Sequence, residues 1–182
     1  MSTDLAATTG TWEIDPTHST IGFVARHAMV AKVRGGFSDF TGTLTLDGAD
    51  PAKSSASLTI VASSFSTNNP ERDAHVKSAD FLDVEQFPTL TFTSTAVTPK
   101  SDDEFVVTGD LTIHGVTKPV DVKFELQGTS QDPWGGTRIG FEGKAEISRK
   151  EFGLVWIVAL ETGGVLVGDT IKLELDVEAV KK

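Results

Sequence analysis

The chain reads as an all-β protein whose antiparallel strands close on themselves, and three observations carry that reading. Phe105, Val107, Leu111 and Ile113 alternate with other residues before a break, and Val120, Val122, Phe124 and Leu126 alternate after it, as two halves of one hairpin. Strand side chains point to opposite faces at period two, so each half offers one apolar and one polar face. The same alternation recurs along nearly the whole sequence. Turn-forming clusters cut it into runs with short connections, which favour antiparallel neighbours. Several runs reach nine residues or more, roughly 30 Å at about 3.3 Å per residue, against a usual strand of about five or six residues. Strands of that length wrapped into a barrel surround either a packed core or a lined cavity.

In chain order, residues 1–10 hold scattered apolar residues and Asp4 and read as a flexible tail, leaving 11–182 as a single domain. A short strand is expected over 11–15, then strands over 19–27, 37–46, 54–62, 89–97, 104–114, 119–128, 137–148 and 169–179. Gly35-Gly36, residues 47–51, residues 100–103 and residues 132–136 supply the reversals through Gly, Pro, Asp and Ser. The last strand alternates most cleanly, with Ile171, Leu173, Leu175, Val177 and Ala179 on one side and Lys172, Glu174, Asp176 and Glu178 on the other. One segment departs from the β pattern. Asn68 and Asn69 stand before Pro70, acids follow at Glu71 and Asp73, and Ala74, Val76, Ala79 and Phe81 come next, which predicts a short helix. Residues 151–168 are apolar but broken by Gly153, Gly163, Gly164 and Gly168, and read as a partly extended loop across one barrel opening.

A length of 182 residues, 38% hydrophobic content and a mean hydropathy of −0.07 describe one ordinary globular domain. The absence of Cys removes disulfides, thiolate nucleophiles and Cys-ligated metal sites, so a metal would need His and carboxylates alone. A net charge of −10 and a pI near 4.7 oppose binding to nucleic acid or anionic lipid, both of which attract Lys and Arg clusters. The longest apolar run, 154–160, is far short of the roughly 20 residues of a membrane helix, so no stable membrane insertion is expected. The first ten residues lack the basic start and apolar stretch of a secretory signal, which points to the cytoplasm unless the chain is already processed.

Eleven Phe, three Trp and no Tyr leave no phenol for acid–base work. Phe23, Phe92, Phe105, Phe124 and Phe141 fall on apolar strand faces. Core packing accounts for each one alone, while together they would suit a long apolar ligand in a tall barrel. The four histidines, His18, His27, His75 and His114, fall in different elements, and no pair has the i,i+4 spacing of a helical metal motif. His27 shares parity with Ile21, Phe23 and Ala25 and is expected to face inward, as a buried neutral ring or as a ligand contact. Asp15, beside Pro16, reads as a turn residue accepting backbone N–H bonds in preference to a triad with His18 and Ser19. Arg72 and Asp73 read as a salt-bridge cluster with Asp110, Arg149 or Glu151 that ties helix to barrel, the alternative being a phosphate clamp.

Several polar landmarks occur in one order: Trp12-Glu13-Ile14-Asp15-Pro16-Thr17-His18-Ser19, Asn69-Pro70-Glu71-Arg72-Asp73-Ala74-His75, Gly109-Asp110-Leu111-Thr112-Ile113-His114-Gly115-Val116-Thr117-Lys118, and Gly163-Gly164-Val165-Leu166-Val167-Gly168-Asp169. With Ala79-Asp80-Phe81-Leu82-Asp83, Phe87-Pro88 and Ser148-Arg149-Lys150-Glu151-Phe152-Gly153-Leu154, the set resembles the YceI-like family over about residues 11–180. The resemblance implies an antiparallel, eight-stranded, lipocalin-like barrel, to which the residue pattern adds one short helix and a loop over its mouth. It implies an interior that binds a long-chain polyisoprenoid or an isoprenoid quinone-type amphiphile, with no catalytic residue, no metal and no cofactor beyond such a lipid. The ligand-binding positions it implies are Phe23, His27, Phe37, Leu90, Phe92, Leu111, Ile113, Phe124, Phe141, Leu154 and Trp156. Many members carry a secretory signal, which this sequence does not show. Two other readings stay open: an enzyme using His27, His18 or His114 at the mouth, with or without a metal, and a filled barrel acting as an interaction module. A homodimer is compatible with all three.

Overall fold

The computed structural model describes residues 5–28, 30–155 and 167–182. Its strands are β1 (Gly10–Ile14), β2 (Thr20–His27), β3 (Ala31–Phe37), β4 (Phe40–Leu46), β5 (Ser55–Val61) and β6 (Phe65–Ser66), followed by helix α1 (Pro70–Lys77). Then come β7 (Thr89–Pro99), β8 (Glu104–Ile113), β9 (Val116–Gln131), β10 (Thr137–Ser148) and β11 (Thr170–Lys181). All pairings between these strands are antiparallel. The order β1-β4-β5-β7-β8-β9-β10-β11 returns to β1, which closes an eight-stranded barrel.

Eight strands and eleven segments are reconciled by three interruptions. β1 and β2 both pair with β11, Glu13 opposite Val180 and Ile21 opposite Leu175, so they are one strand broken at residues 15–19. β3 and β4 are likewise broken at Ser38-Asp39, and β5 and β6 by a 3₁₀ turn over Ala62–Ser64. The other strands are continuous. One end of the barrel, here called the base, carries the β7–β8 and β9–β10 turns; the other, the mouth, carries the β2–β3 and β8–β9 turns. Trp12 and Ile139, both essentially fully buried, and Ala179 pack near the base.

Four local expectations are corrected. Gly35-Gly36 lie inside β3, paired with Phe23 and Gly22, and are not a reversal. A Cβ on Gly35 would lie 2.6 Å from the Phe23 ring and 2.7 Å from Thr67 Cγ2, so glycine is there for close approach. The reversal falls instead after His27, where Ala28 takes φ 50° without any glycine. Phe37 ends β3 and does not open β4. β9 starts at Val116, earlier than expected, because His114 and Gly115 make a two-residue turn with φ 56° and 72°, the left-handed pair a tight hairpin needs. Leu5–Thr8, read as tail, form a 3₁₀ turn against the base, and β1 already begins at Gly10.

The short helix forms where Asn69 and Pro70 predict it. The Asn69 side-chain oxygen accepts from the Arg72 N–H at 3.1 Å, and Pro70 occupies the first turn, where its missing donor costs nothing. α1 buries none of its residues fully. It stands where β5 has left β7, whose last paired residues are Val61 and Thr89, and buried Phe81 and Leu82 follow it.

Candidate functional site

The barrel is hollow. A lower chamber of about 200 Å³ is walled by inward positions of nearly every strand, among them Phe92, Val107, Leu111, Val122, Phe124 and Phe141. An upper chamber of about 490 Å³ opens toward the mouth. Phe23, Phe37, Leu90, Ile113 and Leu173 line both, so the chambers meet at a shared apolar neck. Phe65 stiffens that neck, stacked on Phe23 with centroids 5.2 Å apart and edge-on to Phe37 at 5.7 Å.

Strand parity accounts for how these side chains arrive. Phe105, Val107, Leu111 and Ile113 are buried on one face of β8, while Glu104 and Asp110 on the other are exposed. Phe92 sits opposite Leu58 and Leu111, and a Cβ on Gly109 would lie 2.4 Å from its ring, so the phenyl lies flat across a glycine. Gly143 gives the Phe124 ring the same room, at 2.5 Å.

Of the positions implied by the family resemblance, Phe92, Leu111, Phe124 and Phe141 line the lower chamber, Phe23, Phe37, Leu90 and Ile113 line both, and His27 and Leu154 line the upper one. Trp156 lies outside the described residues, as does most of the loop expected over 151–168. His27 is not a buried ring: it is exposed at the rim, its backbone bridged to Val167.

The upper chamber carries polar groups that strand parity does not reveal: Arg26, Thr67, Asn69, Glu71, Arg72, His75 and Arg149. Arg149 is 3% exposed and spends its protons on backbone: Nη1 donates to Leu154 O at 2.6 Å, Nε to Gly168 O at 3.0 Å and Nη2 to Val167 O at 3.1 Å. Burial pushes its pKa down, opposed by the charge of Asp169. Arg149 therefore ties together the two flanks of residues 155–166. Asp169 supports it, accepting from Ser148 Oγ at 2.7 Å and Lys150 N at 3.1 Å, and the Ser148 bond leads in holding its carboxyl below the usual value.

The cluster expected of Arg72 and Asp73 with Asp110, Arg149 or Glu151 does not form. Both residues turn to Thr67 instead. Asp73 accepts from Thr67 N at 2.8 Å and Oγ1 at 2.6 Å, while Arg72 Nε donates to Thr67 Oγ1 at 2.7 Å and Nη2 to Thr67 O at 3.3 Å. Burial, the largest single influence, raises the Asp73 pKa, but the bonds from the Thr67 hydroxyl and N–H, the charge of Lys77 and the Ser66 hydroxyl together leave it lowered. Arg72 makes no ion pair among the described residues. Parity could not find this, since Thr67 follows a broken strand; the Asn-Pro-Glu-Arg-Asp motif was the available signal.

A second polar cluster sits at the break between β1 and β2, and its members line neither chamber. Asp15 accepts from Thr17 N at 2.9 Å, as its turn role predicts, and bonds His18 Nδ1 at 2.8 Å. Arg138 Nη1 donates to Asp15 Oδ2 at 2.8 Å, and Nε to Asp132 Oδ2 at 3.1 Å. The Arg138 bond leads in holding the Asp15 carboxyl far below the usual carboxylate range, followed by those of His18 and Thr17. Asp15, His18 and Glu178 converge closely enough to ligate a cation, yet Arg138, 2.8 Å from Asp15 and 3.8 Å from Glu178, already supplies the positive charge.

These features define a closed antiparallel β-barrel with an apolar, two-chambered interior and a polar mouth. The YceI-like domain profile matches residues 12–179, and the chain belongs to that family. It is 45% identical over 137 residues to Protein YceI of Escherichia coli O157:H7, covering 75% of this chain and 71% of that one. BcnA of Burkholderia cenocepacia shares the fold with a TM-score of 0.77 at 26% identity, covering 91% of this chain and 98% of that one. A domain from Saccharophagus degradans, described as polyisoprenoid binding, has a TM-score of 0.71 at 17% identity, covering 94% and 98%, a likeness of fold.

Proposed function

We propose that the chain is a non-enzymatic binding protein that seats a long isoprenoid tail, free or attached to a quinone-type ring, in the barrel with its polar end at the mouth. The observation that carries this is the joining of two unlike chambers, the lower walled almost wholly by hydrocarbon side chains and the upper rimmed by Arg, His and Thr. Removing a tail from water gains roughly 25 cal/mol per Å² of apolar area buried, less the cost of ordering it. Arg72 Nη1, uncommitted among the described residues, offers a donor to a head-group oxygen. The description of the Saccharophagus degradans domain supports the same ligand class.

An enzyme at the mouth finds less support. Of the three histidines it would draw on, His27 lines the upper chamber but stands exposed at the rim, while His18 belongs to the Asp15 cluster and His114 rests against Phe87 at 4.7 Å, neither lining a chamber. The filled-barrel reading conflicts with the two cavities. Native mass spectrometry of purified protein, with organic extraction and added polyprenols, tests the proposal. Retained isoprenoid is the expected result; protein that neither carries nor takes up any such lipid refutes it.

A further inference from the structure

The residues matched to the family begin at Trp12, and the 3₁₀ turn of Leu5–Thr8 lies ahead of them. That turn lies against the base. Leu5 and Thr8 line the lower chamber beside Leu46, Asp47 and Gly48, and Leu5 packs against the core. Trp12 Nε1 donates to Thr8 O at 2.8 Å, Gly48 N to Thr9 Oγ1 at 2.9 Å, and Thr8 Oγ1 to Leu5 O at 2.6 Å. Thr8 is buried. A Cβ on Gly48 would lie 1.5 Å from Leu5 O, so the turn occupies space that any larger residue at 48 would claim.

We infer that this turn is a stopper that sets how long an isoprenoid tail the barrel accepts, with Leu5 as a specificity-determining side chain. The inference rests on the binding reading above. A tail entering at the mouth passes the Phe23–Phe37 neck and ends in the lower chamber, where its terminal isoprene unit meets Leu5. A longer tail leaves units outside in water, and each forfeits the burial that drives binding. The turn lies just ahead of the residues matched to the family, which begin at Trp12.

The test incubates full-length protein with an equimolar ladder of all-trans polyprenols and reads the bound lengths by native mass spectrometry. Three variants are compared: deletion of residues 2–9, Leu5→Ala, and Gly48→Ala, which displaces the turn without shortening the chain. Each is expected to shift the bound distribution toward longer tails by one or more isoprene units, the deletion most. If the deletion does not fold, the two point variants decide. A wild-type length distribution in folded variants overturns the stopper while leaving binding intact; a wild type that retains no member of the ladder overturns both.

Discussion

A carboxylate at position 92 would point into the lower chamber, between Leu58 and Leu111, with no partner there to bond it. Burying an unpaired polar group costs several kcal/mol, and a hydrocarbon tail beside it relieves none of that. Phe92→Asp is therefore expected to abolish isoprenoid uptake in protein that circular dichroism shows to be folded; undiminished affinity would remove Phe92 from the ligand wall. Arg149→Ala should act on stability, because it orphans three carbonyls at about 1–3 kcal/mol each. A loss of about 3 kcal/mol or more in urea unfolding is expected, with Arg149→Lys a poor rescue since an ammonium cannot span three acceptors as a planar fork does. Full wild-type stability in the alanine variant would contradict the bracing role. Inward Phe and Leu positions were legible because period two survives in β8 and β9. Arg149 was not, because its partners are backbone carbonyls that no residue pattern marks, and the buried reading of His27 failed because parity gives a face but not the height of the rim, where the residue lines the upper chamber exposed.

At the scale of elements, the sequence read strand runs well and reversals less well. Gly35-Gly36 looked like a turn, and Gly35 instead admits Phe23 and Thr67 against the sheet, while the true turn at Ala28 uses no turn-forming residue. The seam between the broken first strand and β11 carries the clearest pH dependence. Asp15 stays ionised in the fold at pH values where the unfolded chain, near the ordinary value of about 3.9, takes up a proton. Its stabilisation is complete above that ordinary value and is lost as pH falls through the lower, folded value. Asp15→Asn should thus lower the melting temperature most at neutral pH, and the gap to wild type should shrink in strong acid. A gap that stays constant down to the acid limb would show that Asp15 contributes shape and no charge linkage. Asp73 and Asp169, both lowered, act in the same direction.

Across the whole molecule, the three interruptions lie within β1/β2, β3/β4 and β5/β6, whereas β7 to β11 run unbroken from mouth to base. The upper chamber is lined by residues of β2, β3, β6 and α1 together with residues of the unbroken β7, β8, β10 and β11. Closure and alternation could be read from sequence; the split into two chambers could not, because it comes from register between distant strands. One consequence concerns how ligand and fold share stability. A ligand that binds only the folded barrel adds about 2.7 kcal/mol at a hundredfold excess over its Kd. For a domain of this size each kcal/mol is worth roughly 2–4 °C, so saturating isoprenoid should raise the melting temperature by roughly 5–10 °C. Asp15→Asn lies outside both chambers and should start lower yet gain the same increment, since distant sites add. Phe92→Asp should gain none. Scanning calorimetry of the three proteins with and without ligand separates the cases: an increment that shrinks in Asp15→Asn would mean that the seam and the cavity are coupled through β11, which pairs with β1 and β2 and also lends Leu173 to the neck.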